Sequence, residues 1–561
     1  MKAPQWSYAS SGNDNGLVSH WTSVYNGIMD EARHECGIAA IYDLSGRSRE
    51  SQGETKILRQ ITRMLLDMQT RGQLAAGVTT FNPDRSLVLQ TKKDVGSVHE
   101  VFRLSRPKKF QRDARALDGI AAIGHTRYAT TGQDDRQHAQ PFERRHGRLW
   151  KWFSFAFNGT LSNYGQLRDE LTATKEYHFA LNTDTEVIQH FLAFALRGEK
   201  KPDLREAMET LAHAFDGAYN LVYLDAAGRM MLARDPLGFR PLAWAVEEGV
   251  FYAASESVAI SNLGVRNVAS LAPGEMIIIE RGEIRREGYN FSHQHTNPVK
   301  VETNAPRTSR CFFEWVYFAN VASTIDHRGV YESRARAGEI LAAKEEVPVD
   351  EETIVVPVPD SAKAAADSFA YALGARCVEG IFRNRYVGRT FIQSGNLRRD
   401  ASRSKYSPLP SVLRGKRIFL IEDSIVRSTT LKVLVGLIRE RCEPREIHVR
   451  VACPPIVAPC FYGIDMSTIS ELFAARHMKD INVEEKSPEY EERIHQMATE
   501  LQIDSLRYLE VGEVAQAIGI SEESLCMGCV TGRYPTRGGD KLYKEARSML
   551  AAGKRTLRVF G

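Results

Sequence analysis

The sequence predicts a two-part protein, an α+β first half followed by an α/β second half built on a parallel sheet. Three observations carry this. After Cys311, apolar runs alternate with helix-like segments: TIVVPVPD, a helix from Ala362, RIFLIEDS, a helix from Thr429, then EIHVRVAC. That alternation is the pattern of a parallel sheet with crossover helices. From Cys36 to about residue 290 the β-like runs are short (GIAAIYDL, SLVLQTK, AYNLVYLD, GVFYAAS, EMIIIE), with helical segments between them. Between the halves, His293 to Arg310 is polar, contains two prolines and reads as a linker.

At 561 residues the chain has room for two or more domains. Hydrophobic residues make up 43% and charged residues 26%, the balance of an ordinary globular protein. A net charge of +4 makes no case for nucleic acid. No apolar stretch is long enough to span a membrane. The first residues are polar and lack the apolar core of a signal peptide, so a cytoplasmic location is expected. Eight cysteines are too few for a disulfide scaffold at this length. In a reducing compartment their positions point to catalysis or metal.

The most informative stretch is RIFLIEDSIVRSTT, Arg417 to Thr430. Its apolar run reads as a buried parallel strand, and the C-terminal ends of such strands are where open α/β sheets hold ligands. The run ends in two acids, Glu422 and Asp423, which suit the hydroxyls of a ribose. The hydroxyl-rich turn that follows, at a helix start, suits a 5′-phosphate through its backbone N–H groups.

In the first half, Cys36 starts a strand-like run, HECGIAAIYD. A small buried hydrophobe would look the same, but the segments downstream favour a catalytic thiol. GHTRYATTG places Arg127 in a polar turn, where a substrate carboxylate could be clamped. FNGTLSN places Asn158 and Gly159 in a turn, and an Asn amide with a Gly N–H makes an oxyanion hole. NTDTEV offers Asp184 to a substrate ammonium. No fixed local motif supplies a histidine partner, and an N-terminal α-amino group, with a pKa of roughly 8, can serve a thiol as base.

Cys36 with GIAAI, RGQLAAG, GHTRYATTG, AQPF, NGTLSN, NTDTE, RDPLGFRPL, ASES and PGE resembles the class II glutamine amidotransferases, N-terminal-nucleophile hydrolases of αββα fold. The resemblance implies that residues 1–35 are a propeptide whose removal frees Cys36. Cys36 would then attack the glutamine amide with its own amine as base. Arg127 and Asp184 would hold the glutamine backbone groups, and Asn158 and Gly159 the oxyanion.

The second half resembles phosphoribosyltransferases. More narrowly, CFFEWVYFAN, VYESRARAGEILA, VPVPDSA, RNRYVGRTFIQ, SIVRSTT, PCFYGID and CMGCVTGRYPT are similar to the glutamine phosphoribosylpyrophosphate amidotransferase family. That family makes 5-phosphoribosylamine from glutamine and phosphoribosylpyrophosphate, the first committed step of purine synthesis. Carried over residue by residue, Glu422 and Asp423 bind the ribose hydroxyls and, with Ser361, a Mg²⁺. Such hard oxygen ligands suit that ion. Arg427, Ser428, Thr429 and Thr430 cradle the 5′-phosphate. Asp360 and Ser361 face pyrophosphate. Arg389 lies in a basic stretch that would close over the substrate, although on its own the stretch also reads as a solvated loop.

One C-x-x-C pair is compatible with zinc, redox chemistry or packing, and four thiols also suit a structural zinc site. The iron–sulfur branch of the family places the ligands of a 4Fe–4S cluster at the positions of Cys311, Cys460, Cys526 and Cys529. Cys377, Cys442 and Cys453 match no ligand position and read as packing residues.

The resemblance implies domains at 36–300 and 301–561, a homo-oligomer, no nucleic-acid or membrane partner, and room for purine nucleotides as feedback inhibitors. The chain departs from the family pattern at Leu74 (usually an acid), Phe157 (usually His), Glu422 (usually Asp) and Ser428 (usually Gly), and in its long leader. Two other readings follow from those departures: a paralogue feeding another pathway, and a silent protein that binds nucleotide or senses oxygen. The intact Cys36, Arg127, Asn158 and Asp184 count against the silent reading.

Overall fold

A computed structural model describes residues 36–46, 56–128, 136–291, 308–384, 406–464, 466, 468–478 and 487–553. The proposed propeptide, most of the predicted linker and Arg389 lie outside the described residues.

The first half is a stack of two sheets with helices on both outer faces. The first sheet has seven strands, in the spatial order Ala269–Ser270, Ala243–Glu247, Val250–Ala254, Gly37–Asp43, Ala121–Arg127, Ala75–Phe81, Leu89–Val95. The second has six, in the order Glu283–Gly288, Glu275–Glu280, Met230–Arg234, Gly217–Asp225, Phe153–Leu161, Phe142–Arg144. All their pairings are antiparallel.

The period-2 alternation of side chains explains the layering. Ile38, Ala40 and Tyr42 enter the core between the sheets, where they meet Ala156, Val222 and Ile277. Ala39 and Ile41 face the other way, against the helix Lys56–Asp67. That helix buries Ile57, Leu58, Ile61, Met64 and Leu65, a stripe at helical spacing. On the far side, Phe155, Phe157 and Tyr223 pack against the helices Asp184–Ala195 and Leu204–Ala214. This is the αββα arrangement expected from the resemblance.

The second half carries a five-stranded parallel sheet in the order Arg376–Cys377, Thr353–Pro357, Arg417–Glu422, Glu446–Val451, Ser505–Tyr508. Its central strands are buried on both faces, which is why they read as unbroken apolar runs. From Thr353–Pro357 the chain crosses through the helix Lys363–Leu373 to one edge of the sheet. From Arg417–Glu422 it crosses through the helix Thr429–Cys442 towards the other. The crevice between these two strand ends is thus a topological switch point, the place where open α/β sheets bind ligands.

Candidate active site

The first site gathers at the start of the strand Gly37–Asp43, in the middle of the seven-stranded sheet. Cys36 precedes the strand Gly37–Asp43, and its Sγ donates to the Tyr128 carbonyl at 3.7 Å. Gly37 pairs with Thr126, so Arg127 ends the neighbouring strand beside the thiol. The thiol lies within electrostatic reach of Arg127, Asp184 and Arg71. Burial pushes its pKa up, and the Tyr128 hydrogen bond and Arg127 oppose that only in part. Such a group is a thiol rather than a thiolate near neutral pH and needs a base to attack.

Asp184 is the first residue of the helix Asp184–Ala195, whose cap Thr183 accepts from the Glu186 N–H. Burial pushes its carboxyl up to about 6, against opposing hydrogen bonds from backbone N–H groups. Asn158 is buried, and its amide donates to Ser255 Oγ at 3.3 Å. The same hydroxyl accepts from the Ile38 N–H at 3.0 Å, so one serine ties the strand behind Cys36 to the Asn158 amide.

Two local expectations are corrected. Asn158 and Gly159 lie in the strand Phe153–Leu161, not in a turn, and Arg127 is the last residue of a strand. The motif has turn-forming residues, but nine consecutive pairs with Gly217–Asp225 hold it extended. Gly159 has φ 147°, and a Cβ there would lie 2.0 Å from the Ala218 carbonyl oxygen, so only glycine fits.

Two departures from the family pattern have plain accounts. At Leu74 the main-chain N–H donates to the Arg127 carbonyl at 3.1 Å, a bond that any non-proline residue there would make. Phe157 points into the core against the helix layer, on the opposite face of its strand from Asn158. His125, which sequence reasoning passed over, is buried beside this site. Its Nε2 lies 3.2 Å from the Phe157 carbonyl, and burial pushes its pKa down to about 3, so it is neutral.

The second site is the switch-point cleft. It is lined by Asp360, Ser361, Glu422, Asp423, Ser428 and Thr430, with Arg383, Tyr406 and Tyr317 at its sides. Asp423 is buried, and each of its oxygens accepts from a hydroxyl, Oδ2 from Ser361 and Oδ1 from Ser424 at 2.7 Å. Arg383 approaches Asp360 at 3.8 Å. Arg427 approaches Glu471 at 3.5 Å instead of entering the cleft lining.

Ser428 caps the helix Thr429–Cys442 at φ 70°, a left-handed conformation that costs a non-glycine residue about 1–2 kcal/mol. Its Oγ is buried without a partner among the described residues. This strained hydroxyl stands where the family has glycine, at the mouth of the phosphate-type turn. Backbone strain of this kind collects at ligand-binding turns.

The four cysteines named for iron converge in one buried neighbourhood. Cys311 and Cys526 are register partners in a short parallel pair. Cys529 feels the charges of Cys460, Cys311 and Cys526, and Cys526 those of Cys311 and Cys460. Burial raises the Cys311 thiol to about 11 and pushes those of Cys526 and Cys529 well above the ordinary thiol value. Among the described residues no three His, Cys, Asp or Glu side chains stand close enough to hold a single metal ion. Of the cysteines expected to pack, Cys442 and Cys453 are buried and Cys377 is partly so.

The fold and the two sites define a class: a glutamine amidotransferase joined to a phosphoribosyltransferase-type domain. A family model for the glutamine amidotransferase domain matches residues 125–262. The chain is 38% identical to the amidophosphoribosyltransferase of Methanothermobacter thermautotrophicus, over 90% of this chain and 95% of that one. It is 37% identical to that of Methanocaldococcus jannaschii, over 89% and 98%. The solved glutamine phosphoribosylpyrophosphate amidotransferase of B. subtilis, in complex with ADP and GMP, superposes with a TM-score of 0.73 at 31% identity, covering 90% of this chain and 98% of that one. The chain belongs to the amidophosphoribosyltransferase family, a family of enzymes of purine biosynthesis. Among the described residues no helix is long and apolar enough to cross a membrane.

Proposed function

We propose that the chain transfers the amide nitrogen of glutamine to 5-phosphoribosyl 1-pyrophosphate, giving 5-phosphoribosylamine, pyrophosphate and glutamate. The observation that carries this is the pairing of an acid pair and a hydroxyl turn at a sheet switch point with a Cys36–Arg127–Asn158–Asp184 site in the same chain. Residues 1–35 are removed, and the domains run 36–300 and 301–561.

Arg127 takes the carboxylate of glutamine and Asp184 its ammonium. The α-amine of the freed Cys36 accepts the thiol proton as Sγ attacks the side-chain amide carbon. The Asn158 amide and the Gly159 N–H stabilise the tetrahedral oxyanion. The proton passes to the leaving nitrogen, ammonia departs, and water hydrolyses the thioester to glutamate. In the second site ammonia attacks C1 of the ribose and pyrophosphate leaves. Glu422 and Asp423 orient the ribose hydroxyls, Asp360 and Ser361 face pyrophosphate, and the turn from Arg427 to Thr430 takes the 5′-phosphate through its backbone N–H groups, with Ser428 and Thr430 lining the cleft. Arg389 belongs to the stretch that closes over the substrate and excludes water.

Ser361, Glu422 and Asp423 present hard oxygen donors that fit Mg²⁺, which supplies charge neutralisation for pyrophosphate when bound. The four thiols gathered there fit a 4Fe–4S cluster, since Cys311 and Cys526 pair in register and burial makes the anions of Cys311, Cys526 and Cys529 costly without a metal. A cluster there would tie the C-terminal region to the start of the second half and so add to folding stability. Protein purified without oxygen is expected to be brown, with iron and sulfide bound. Colourless protein holding stoichiometric zinc would replace the cluster with a zinc site.

Purine nucleotides are feedback ligands on this reading, as the ADP and GMP of the B. subtilis relative support. The same reading carries a homo-oligomer in the cytoplasm.

Two experiments test it. Pyrophosphate release from phosphoribosylpyrophosphate should depend on glutamine or ammonia, and release with neither would count against the transfer. The carboxyl of Asp184, raised to about 6, is charged above that pH and neutral below it. Glutamine KM is therefore expected to rise by about tenfold per pH unit below 6 and to level off above it, while the ammonia-dependent rate does not follow that profile. A flat KM across pH 5–7, roughly one unit either side of that value, would remove Asp184 from ammonium recognition.

A further inference from the structure

Beneath Cys36 a buried charge network crosses from the first half to the second. Arg71, 1% exposed, donates from Nη1 to Glu256 Oε1 at 2.9 Å and from Nη2 to Glu314 Oε1 at 2.7 Å. A further bond runs from Nη1 to Glu314 Oε2 at 3.1 Å. Its Nε reaches the main-chain carbonyl of Cys36 at 3.4 Å. Glu256 also accepts from the Asn320 N–H at 2.8 Å and from Ser323 Oγ at 2.9 Å, so it too spans both halves.

On its other side Glu314 approaches Arg240 Nη1 at 3.5 Å. Arg240 grips the Tyr462 carbonyl through Nε at 3.1 Å and Nη2 at 2.6 Å. The Tyr462 ring stacks on Phe239 with centroids 4.2 Å apart, which fixes the loop. The next residue is Gly463, at φ 107°. A Cβ there would lie 3.1 Å from Arg240 Nη2, 3.2 Å from the carbonyl carbon of Gly159 and 3.3 Å from its Cα. The loop therefore rests on the backbone of the oxyanion residue.

We propose that Glu314, supplied by the second half, is a positioning residue for the glutaminase reaction. Through Arg71 it fixes the main chain of Cys36, and through Arg240, Tyr462 and Gly463 it sets the backbone of Gly159. The nucleophile and the oxyanion donor thus take their spacing from one carboxylate in the other domain. The inference rests on the glutamine reading of Cys36.

Two guanidinium groups and two carboxylates nearly balance in charge, so the cluster is tolerable when buried and costly when one member is lost. It is also stiff, and displacements of about 1 Å between reacting groups cost on the order of a hundredfold in rate.

The test uses the full chain, with glutamine and then ammonia as nitrogen donor, on Glu314→Gln and Gly463→Ala. Glu314→Gln keeps the side-chain shape and removes the charge. Gly463→Ala changes no charge; its methyl presses on the Gly159 backbone and on the Arg240 guanidinium, at a φ that strains any side chain. In both, the kcat with glutamine is expected to fall by at least about tenfold, with glutamine KM within about twofold of wild type. The ammonia-dependent rate should stay unchanged. A purely structural clamp would lower both rates together, in step with loss of folded protein, and that result would overturn the proposal. So would unchanged glutamine turnover in both variants. If Glu314→Gln fails to fold, Gly463→Ala decides alone. Wild-type protein that uses ammonia but never glutamine would sink the reading of Cys36 instead, before any variant is compared.

Discussion

Replacing Cys36 with alanine is expected to abolish glutamine-dependent synthesis of the amine and to spare the ammonia-dependent rate. The loss should be at least about a thousandfold, the scale on which removal of a covalent nucleophile acts. The reason is spatial. Cys36 precedes the strand Gly37–Asp43 of the antiparallel sandwich, whereas the cleft lined by Glu422 and Asp423 lies at the ends of the parallel sheet. The thiol accepts no part in the second site, so high ammonia should bypass its loss. The half-buried Cys36 side chain makes a 3.7 Å hydrogen bond to the Tyr128 carbonyl, so folding should survive the change. Equal loss of both activities in folded protein would contradict the assignment of Cys36 as nucleophile. The wild-type N-terminus supplies an independent check: intact mass should show chains that begin at Cys36, and fully active enzyme that retains residues 1–35 would exclude the α-amine as base.

Asp423→Ala is expected to have the converse effect, removing transfer with either nitrogen donor while leaving a basal glutaminase activity. A loss of about a hundredfold or more is expected, the scale of deleting one well-placed electrostatic group from an active site. Asp423 is the buried member of the acid pair, and both of its oxygens are engaged by Ser361 and Ser424. Alanine leaves those hydroxyls unpaired at a cost of about 1–3 kcal/mol, so part of the effect is local disorder. Asp423→Asn keeps the shape and separates the two contributions. If Asn restores transfer, charge at this position is not required and the Mg²⁺ role fails. Loss of glutaminase in parallel with transfer would count against two separate sites.

Much of this is legible in the sequence. The strands Thr353–Pro357 and Arg417–Glu422 announce themselves because both of their faces are buried and their apolar runs are unbroken, while Glu446–Val451 alternates Ile, Val and Val with His448 and Arg450. The helix after the acid pair starts at Thr429, as its hydroxyl-rich lead suggested. Asn158 and Gly159 were misplaced locally, because Asn and Gly are turn residues and the nine-pair ladder that straightens them comes from a distant segment. Local chemistry lost to tertiary pairing there.

Arg71, Glu256 and Glu314 sat inside recognised motifs, yet their partnership was invisible. Arg71 and Glu314 are 243 positions apart, and only their burial distinguishes them from surface charges. The departures at Leu74 and Phe157 looked weighty in sequence. They matter less in the fold, where the main-chain bond at Leu74 is one that any non-proline residue would make and Phe157 faces the core. Ser428 matters more, because it sits left-handed, buried and unpaired at the cleft.

The central claim is that one chain takes nitrogen from glutamine at Cys36 and delivers it to a ribose at the Glu422–Asp423 site. The most direct measurement supplies glutamine labelled with heavy nitrogen at the amide, together with phosphoribosylpyrophosphate and Mg²⁺, and follows the label by mass spectrometry. The account predicts that the heavy nitrogen appears in 5-phosphoribosylamine, with one glutamate and one pyrophosphate released per labelled product. Glutamate release that leaves the label in free ammonia, with no labelled sugar formed, would contradict it.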